Sequence, residues 1–252
     1  MERTPVTPAS PGGGPAAADG ALARVVALVP VRGLEHAKTR LGIALDAEER
    51  AALAASLTRR TLRALADARV AGDVDEIVVA SPDPAALAEA VEIGAIPLTV
   101  SGRDLVADLR TARERAVVAG ATAVLVVPID LARVSGPALG GIVAAGRRAL
   151  VPGLPLVVLV PDRAGEGSNV LLVAPPRAID FAFGPGSRGR HAAAARSAGA
   201  ILVELGGPLD LDVDTPEDLA DAEGLDAAEG GAAPGRLPSP ASTPAAARGQ
   251  RS

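Results

Sequence analysis

The chain has 252 residues, and its formal net charge of −5 comes from 25 basic and 30 acidic side chains. This acidic balance argues against a general nucleic-acid-binding protein, and the absence of Tyr and Trp excludes the usual aromatic platforms for stacking bases. The absence of Cys excludes disulfides, thiolate metal sites and cysteine nucleophiles, and two His residues are too few for a multi-histidine metal centre.

Both ends of the chain differ in composition from its middle. Residues 1–21 and 227–252 are rich in Pro, Gly, Ala and Ser and show no hydrophobic periodicity. Such segments bury too little apolar surface to offset the loss of backbone entropy, so we predict two disordered tails around one domain at 22–226. No apolar run reaches the roughly 20 residues that span a bilayer, and no signal peptide is recognisable, so we expect a cytoplasmic protein without membrane partners.

Within 22–226, short β-branched runs alternate with longer segments rich in Ala, Leu and Arg. The predicted elements are, in chain order, strand 24–31, helix 46–69, strand 76–80, helix 84–93, strand 96–100, helix 105–119, strand 122–127, helix 135–148, strands 156–160 and 170–173, helix 187–198 and strand 201–204. Asp46 and Glu49 form a capping-box pattern at the start of the longest helix. Apolar strands that alternate with helices predict an α/β fold, a mostly parallel sheet with helices on both faces. Ligands bind beyond the carboxyl ends of the strands in such sheets, so residues that follow strands are the functional candidates.

A basic loop follows the first predicted strand. It contains Arg32, Lys38 and Arg40, and it matches neither the dinucleotide-binding glycine pattern nor the P-loop. Lysine supplies a point charge and arginine a planar fork, so three cations in one loop of an acidic protein suit a triphosphate. A solvated surface loop is the alternative.

Acidic side chains follow the fourth strand and the last strand. Asp130 ends the apolar segment VLVVPID, where a carboxylate is costly unless a metal ion or helix amides pair with it, and Ser135 is better placed to cap the next helix. Asp210, Asp212 and Asp214 alternate in LDLDVDTPEDL, so an extended chain projects them to one side. A helix cap is the alternative for Asp214. Together, Asp130, Asp212 and Asp214 would offer hard oxygen ligands suited to Mg²⁺.

A glycine-rich turn, FGPGSRGRH at 183–191, leads into the last predicted helix. Free backbone N–H groups and the positive helix end favour an anion there, although Ser187 acting only as a helix cap is the alternative. Phe181 and Phe183, the only aromatic residues of the chain, are expected to wedge this loop onto the core. His191 is interpreted as an ordinary helix histidine.

Five segments, taken in order, resemble the 2-phospho-L-lactate/phosphoenolpyruvate guanylyltransferase family (CofC/FbiD type) of coenzyme F420 biosynthesis. They are VPVRGLEHAKTRL, VVPIDL, VPDRAGEGSNVLL, FGPGSRGRHAAAA and LDVDTPEDL, and the resemblance spans residues 24–222. It implies a nucleotidyltransferase fold like that of the nucleotide-diphospho-sugar transferases. It also implies Mg²⁺-dependent coupling of GTP to a small phosphorylated acid, with release of pyrophosphate and with a downstream deazaflavin transferase as an expected partner.

The resemblance also implies roles for individual residues. Asp130, Asp212 and Asp214 would hold Mg²⁺, with Asp130 and Lys38 as the catalytic residues. The acid would be bound by Asn169, Gly184 and Ser187, with Ser168 competing for the role of Asn169 because the loop alignment can slip by one residue. The GTP phosphates would be bound by Arg32, Lys38 and Arg40.

Two segments depart from the family pattern. Val106 stands where the family commonly has Asn near the nucleotide, and Ile129 and Ala132 alter the frame around Asp130. Phosphoenolpyruvate is the first choice of acceptor, because the composition suggests a bacterium of high GC content, where the resemblance points to the enolpyruvate variant. The alternatives are 2-phospho-L-lactate, 3-phosphoglycerate or another phosphate acceptor, and a non-catalytic nucleotide-binding paralogue.

Overall fold

A seven-stranded sheet runs through the part of the chain that the structure describes. The structure is a computed structural model that describes residues 20–32 and 46–213, so most of the two predicted tails lies outside it. The strands are β1 Val25–Pro30, β2 Glu76–Ser81, β3 Ile96–Thr99, β4 Ala123–Val126, β5 Leu156–Pro161, β6 Ser168–Ala174 and β7 Ile201–Glu204. Their order across the sheet is β3-β2-β1-β4-β6-β5-β7. The predicted strands are confirmed, with ends that differ by one or two residues.

One strand runs against the other six. Strand β6 pairs antiparallel with both β4 and β5, while the remaining pairs are parallel. The first residues of β6 therefore lie at the edge where the other strands end, with Ser168 opposite Pro161. This reversal brings the start of β6 to the edge at which parallel sheets bind ligands.

Five helices cover the two faces of the sheet in the described ranges. They are α1 Ala47–Val70, α2 Pro84–Glu92, α3 Leu105–Val118, α4 Gly136–Ala149 and α5 Ser187–Ser197, preceded by a single 3-10 turn at Gly20–Leu22. The Asp46–Glu49 capping box of α1 is present, and Ser135 caps α4. None of these helices has both the length and the apolar character that a membrane crossing requires.

The strands supply one apolar core to each face. In β1, Val25, Ala27 and Val29 face a core that includes α1, α2 and α4, whereas Val26 and Leu28 face a core that includes α3 and α5. This alternation follows from the two-residue period of a strand, and burial on both faces explains why the strands read as continuous apolar runs. The mostly parallel α/β fold with two helical layers is confirmed.

Candidate active site

The acidic candidates lie on two backbone segments that pair with each other. The peptide N–H of Ala132 donates to the Leu211 carbonyl at 3.0 Å, and that of Val213 donates to the Asp130 carbonyl at 2.9 Å. Leu131 and Asp212 therefore face each other in an antiparallel bridge. The segments that carry Asp130 and Asp212, far apart in sequence, thus meet at the carboxyl edge of the sheet.

Each of these two residues offers a carboxylate, the hard oxygen ligand that Mg²⁺ prefers. Asp130 and Asp212 are both half-buried, so both lie near the surface of the edge. Across 20–32 and 46–213, no cluster of three side chains suited to a metal occurs. Asp214, the third predicted ligand, lies outside the described residues, although it follows Val213 directly.

Helix α1 holds the loop that carries Asp130. The Arg60 guanidinium donates to the Ala132 carbonyl, and the Thr61 hydroxyl donates to the Ile129 carbonyl at 3.4 Å. The cap of α4 is Ser135, whose hydroxyl accepts from the Ala138 N–H at 3.3 Å. Ser135 therefore caps α4, and the carboxylate of Asp130 does not.

The FGPGS turn is shaped by two glycines and one arginine. Gly184 and Gly186 have φ values of 104° and 70°, in the left-handed region that side chains with a Cβ rarely adopt. The Arg190 guanidinium donates hydrogen bonds to four carbonyl groups in and before the turn, those of Ala182, Phe183, Gly184 and Pro185. The N–H groups of Gly184 and Gly186 donate to no described residue. Free donors at the start of α5 are typical of an anion site.

Ser187 is the first residue of α5 and is only 1% exposed. The N-cap position belongs to Gly186, and no side chain caps this helix, so the interpretation of Ser187 as a mere cap is wrong. A hydroxyl in the first turn of a helix can donate to an anion bound at that turn.

Asn169 and Ser168 begin β6 but point to different partners. Asn169 is 6% exposed, and its Nδ2 donates to the Leu209 carbonyl at 3.0 Å. This bond ties β6 to the segment that leads into Asp212. Ser168 Oγ lies 2.9 Å from Nδ1 of His191. Of the two competing residues, Ser168 is therefore the one joined to the helix that follows the FGPGS turn.

His191 lies in α5, as expected, and it contacts both the start of β6 and the segment before the FGPGS turn. It is fully buried, its Nε2 accepts from the Ala182 N–H at 2.9 Å, and the Phe183 ring packs edge-on at 5.0 Å between centroids. Burial first, and the nearby Arg190 charge second, lower the pKa of His191 to about 4. The available sequence signal was its spacing, because a residue four after Ser187 shares that residue's helix face.

The two phenylalanines brace the turn as predicted. Phe181 is buried in the core beneath α3 and α5, and Phe183 packs against the same core. The Arg113 guanidinium lies 5.0 Å above the Phe181 ring, and Asp180 accepts from the Phe181 N–H at 2.9 Å. A hydrogen bond from Arg110 holds the pKa of the Asp180 carboxyl below its usual range. This ion pair is exposed, so its free-energy contribution is small compared with the buried rings.

The basic candidates are described only in part. Arg32 Nη2 donates to the carbonyls of Gly102 and Arg103 at 3.3 and 3.2 Å, which joins the end of β1 to the loop before α3. Lys38 and Arg40 lie outside the described residues. Val106, in the first turn of α3, packs against the apolar core. The residue that departs from the family pattern thus has a packing role in this chain.

Comparison with known proteins gives one consistent result. The sequence profile of the family described as "Guanylyl transferase CofC like" matches residues 25–223. The phosphoenolpyruvate guanylyltransferase of Rubrobacter xylanophilus is 40% identical over 79% of this chain and 93% of its own. The phosphoenolpyruvate guanylyltransferase of Sphaerobacter thermophilus is 41% identical over 79% of this chain and 92% of its own.

The fold also has relatives among solved structures. A crystal structure from Desulfovibrio desulfuricans G20, of a protein provisionally assigned as a nucleotide-diphospho-sugar transferase, matches with a TM-score of 0.60. The match has 17% identity and covers 80% of this chain and 87% of that one. At this identity the similarity establishes the fold alone, and it confirms the predicted fold type.

Proposed function

The chain belongs to the CofC-like guanylyl transferase family, and we propose that it couples GTP to phosphoenolpyruvate. The products are enolpyruvoyl-2-diphospho-5′-guanosine and pyrophosphate, and the reaction belongs to coenzyme F420 biosynthesis. The observation that carries the choice of acceptor is the activity named for both relatives, each about 40% identical over nearly their whole length. Two acids that are chemically similar to phosphoenolpyruvate, 2-phospho-L-lactate and 3-phosphoglycerate, are the alternative acceptors.

The acid is assigned to the FGPGS turn. Gly184 and Gly186 offer N–H groups without described partners, and Ser187 offers a buried hydroxyl. These donors suit the oxygens of a phosphate or a carboxylate, and the dipole of α5 favours a negative charge at its first turn. Asn169 supports the neighbouring acidic segment through Leu209.

The nucleotide is assigned to the ends of β1 and β4. Arg32 with Lys38 and Arg40 would neutralise the GTP phosphates, and Lys38 is the residue proposed to act on the reacting phosphate. Asp130, Asp212 and Asp214 would hold the metal ion, which we propose to be Mg²⁺. When bound, a divalent cation supplies positive charge to the phosphate oxygens of the attacking and leaving groups.

The reaction needs positioning more than it needs a strong base. A phosphate oxygen of the acid forms a bond to the α-phosphorus of GTP, and the bond from that phosphorus to the β-phosphate oxygen breaks, which releases pyrophosphate. The attacking phosphate is already an anion, so no side chain has to remove a proton from it. The task of the residues is to orient two anionic groups and reduce their repulsion, which explains how a site without Cys or Tyr can catalyse the transfer.

The test is pyrophosphate release from GTP and Mg²⁺ with each candidate acid in turn, coupled to the downstream deazaflavin transferase to capture a labile product. Release with phosphoenolpyruvate alone supports the proposal in full, and release with another acid reassigns the acceptor. Binding of GTP without release with any acid would overturn it in favour of a non-catalytic nucleotide-binding protein.

Removing a metal-binding carboxylate provides the matched mutational test. We predict that Asp130→Asn and Asp212→Asn each lower kcat by about 100-fold or more, because charge neutralisation of the phosphates is lost. Both variants should still fold, since both residues are only half-buried and Asn keeps the shape of Asp. Asp83→Asn is the control, because Asp83 caps α2 at the same edge and Asn caps equally well. Full turnover by either variant would contradict the metal assignment.

A further inference from the structure

The two ring nitrogens of His191 make two different contacts. Nε2 lies 2.9 Å from the peptide nitrogen of Ala182, which precedes the FGPGS turn. Nδ1 lies 2.9 Å from the hydroxyl oxygen of Ser168, at the start of β6. One buried imidazole therefore connects the strand that carries Ser168 to the turn that carries Gly184 and Ser187.

The contacts determine which nitrogen carries the proton. A peptide N–H can only donate, so Nε2 must present its lone pair to Ala182. A neutral imidazole keeps one proton, which must then be on Nδ1, from where it is donated to Ser168 Oγ. The pKa of about 4 leaves the ring neutral at neutral pH, so this arrangement is the one populated.

This tautomer constrains the Ser168 hydroxyl. Its oxygen already accepts a hydrogen from Nδ1, so its own hydrogen must be donated away from His191. A hydroxyl that both accepts and donates is polarised by the chain of bonds and becomes the better donor. Ser168 is only half-buried and lies at the ligand-binding edge, so this donated hydrogen is accessible to a ligand.

We propose that His191 is a positioning residue that makes Ser168 an obligate hydrogen-bond donor to an anionic oxygen of the acceptor acid. The inference rests on the proposed function for the identity of the acid and on the family resemblance for an acid contact at the start of β6, and what it adds is the part played by His191. Asn169 instead donates its Nδ2 hydrogen to Leu209. Through Ala182, His191 also contacts the segment that leads into the FGPGS turn.

Two substitutions separate the two contacts of the ring. In His191→Asn the amide N–H₂ reaches the position of Nδ1 and can donate to Ser168. In His191→Gln the amide oxygen reaches the position of Nε2 and can accept from Ala182, but the donor to Ser168 is lost. The two variants thus retain opposite halves of the arrangement.

The experiment measures the Kd of phosphoenolpyruvate by calorimetry, together with kcat and separate KM values for the acid and GTP. We expect His191→Gln and Ser168→Ala each to weaken acid binding by about tenfold or more, as for a lost hydrogen bond to an anion, with KM for GTP within about twofold of wild type. His191→Asn and Ser168→Thr should restore most of the affinity. The double variant His191→Gln/Ser168→Ala should be no weaker than Ser168→Ala alone, because both changes remove the same bond.

A purely structural role would give a different pattern. Additive losses in the double variant, or equal losses for the acid and GTP, would overturn the proposal. The nitrogen-15 chemical shifts of the His191 ring test the tautomer without any turnover, and a proton on Nε2 would also overturn the proposal.

If His191→Gln does not fold, Ser168→Ala and Ser168→Thr still measure the contribution of the Ser168 hydroxyl to acid binding. If the wild type binds the acid without releasing pyrophosphate, the proposed function fails while the Kd values still decide the role of His191.

Discussion

Gly184 and Gly189 lie five residues apart in one turn-and-helix segment, yet the backbone requires glycine at only one of them. Gly184 has φ of 104°, which places a Cβ in a strained conformation whatever space surrounds it. Gly189 lies within α5, and a Cβ added to it meets nothing within 4 Å. Gly184 therefore presents an N–H group to the proposed anion site, whereas Gly189 only lowers the stability of α5.

The two alanine variants should therefore have opposite effects. We predict that Gly184→Ala lowers the free energy of unfolding by about 1–3 kcal/mol, because the turn must distort or strain, and raises KM for the acid. Gly189→Ala should raise the free energy of unfolding by about 0.5–1 kcal/mol and leave KM unchanged, because alanine is the better helix former. Urea denaturation and steady-state kinetics on both proteins check this, and a common effect of the two substitutions would contradict it.

At the scale of whole elements, the loop that carries Asp130 depends on how closely α4 approaches α1. A Cβ added to Gly136, the first residue of α4, would lie 2.8 Å from Cβ of Asp67 and 3.3 Å from the peptide nitrogen of Ala68. Both contacts are with α1, and one is with its backbone. Further along α4, a Cβ added to Gly141 would meet nothing within 4 Å.

Alanine substitutions at two glycines of α4 should therefore separate the effect of the α4–α1 contact on stability from the effect of helix propensity. Gly136→Ala forces α4 away from α1, and we expect it to lower the free energy of unfolding by about 1–3 kcal/mol, as for an overpacked core. Because the 129–135 loop leads directly into α4, kcat should fall with it. Gly141→Ala should raise the free energy of unfolding by about 0.5–1 kcal/mol. A Gly136→Ala protein as stable and active as wild type would show that the helices can separate without consequence.

Between pH 6.5 and 4, the stability of the molecule should depend mainly on His191. The pKa of His191 is about 4 in the folded protein against 6.5 when unfolded, so between these values the unfolded chain binds the extra proton. Stability is therefore complete above pH 6.5 and is lost as the pH falls toward 4, by up to about 3 kcal/mol. Asp180 and Glu114, whose pKa values are lowered by hydrogen bonds from Arg110 and Arg177, add their losses only below about pH 4.5.

The free energy of unfolding measured from pH 7.5 to 4 checks this prediction. We expect the decline between pH 6.5 and 4 to be reduced strongly in His191→Gln, because no group with that shift remains. His36→Gln is the matched control, since His36 is the other of the two histidines in the chain. A decline that persists in His191→Gln, or one that disappears in His36→Gln, would assign the acid sensitivity to other groups.

Much of the fold was predictable because its signals are local. The Asp46–Glu49 capping box and the Ser135 cap each involve residues only three positions apart, so both can be recognised in the sequence. Both are present in the structure. The reversal of β6 was not predicted, although the six residues 162–167 between β5 and β6 are too few for a parallel crossover. The sequence patterns and the family resemblance also indicated the Gly184–Ser187 turn as an anion site, and its unpartnered donors support that interpretation.

The sequence by itself determined the elements, the alternation of buried residues and the chemistry of the candidate side chains, since all three follow from periodicity and residue type. Only the tertiary structure decided that the segments carrying Asp130 and Asp212 pair with each other, that Asn169 donates to Leu209, and that His191 links Ser168 to Ala182. Each of these contacts joins residues on different elements. Their distances are set by the order and direction of the strands and by helix packing, and no local pattern in the chain encodes those quantities.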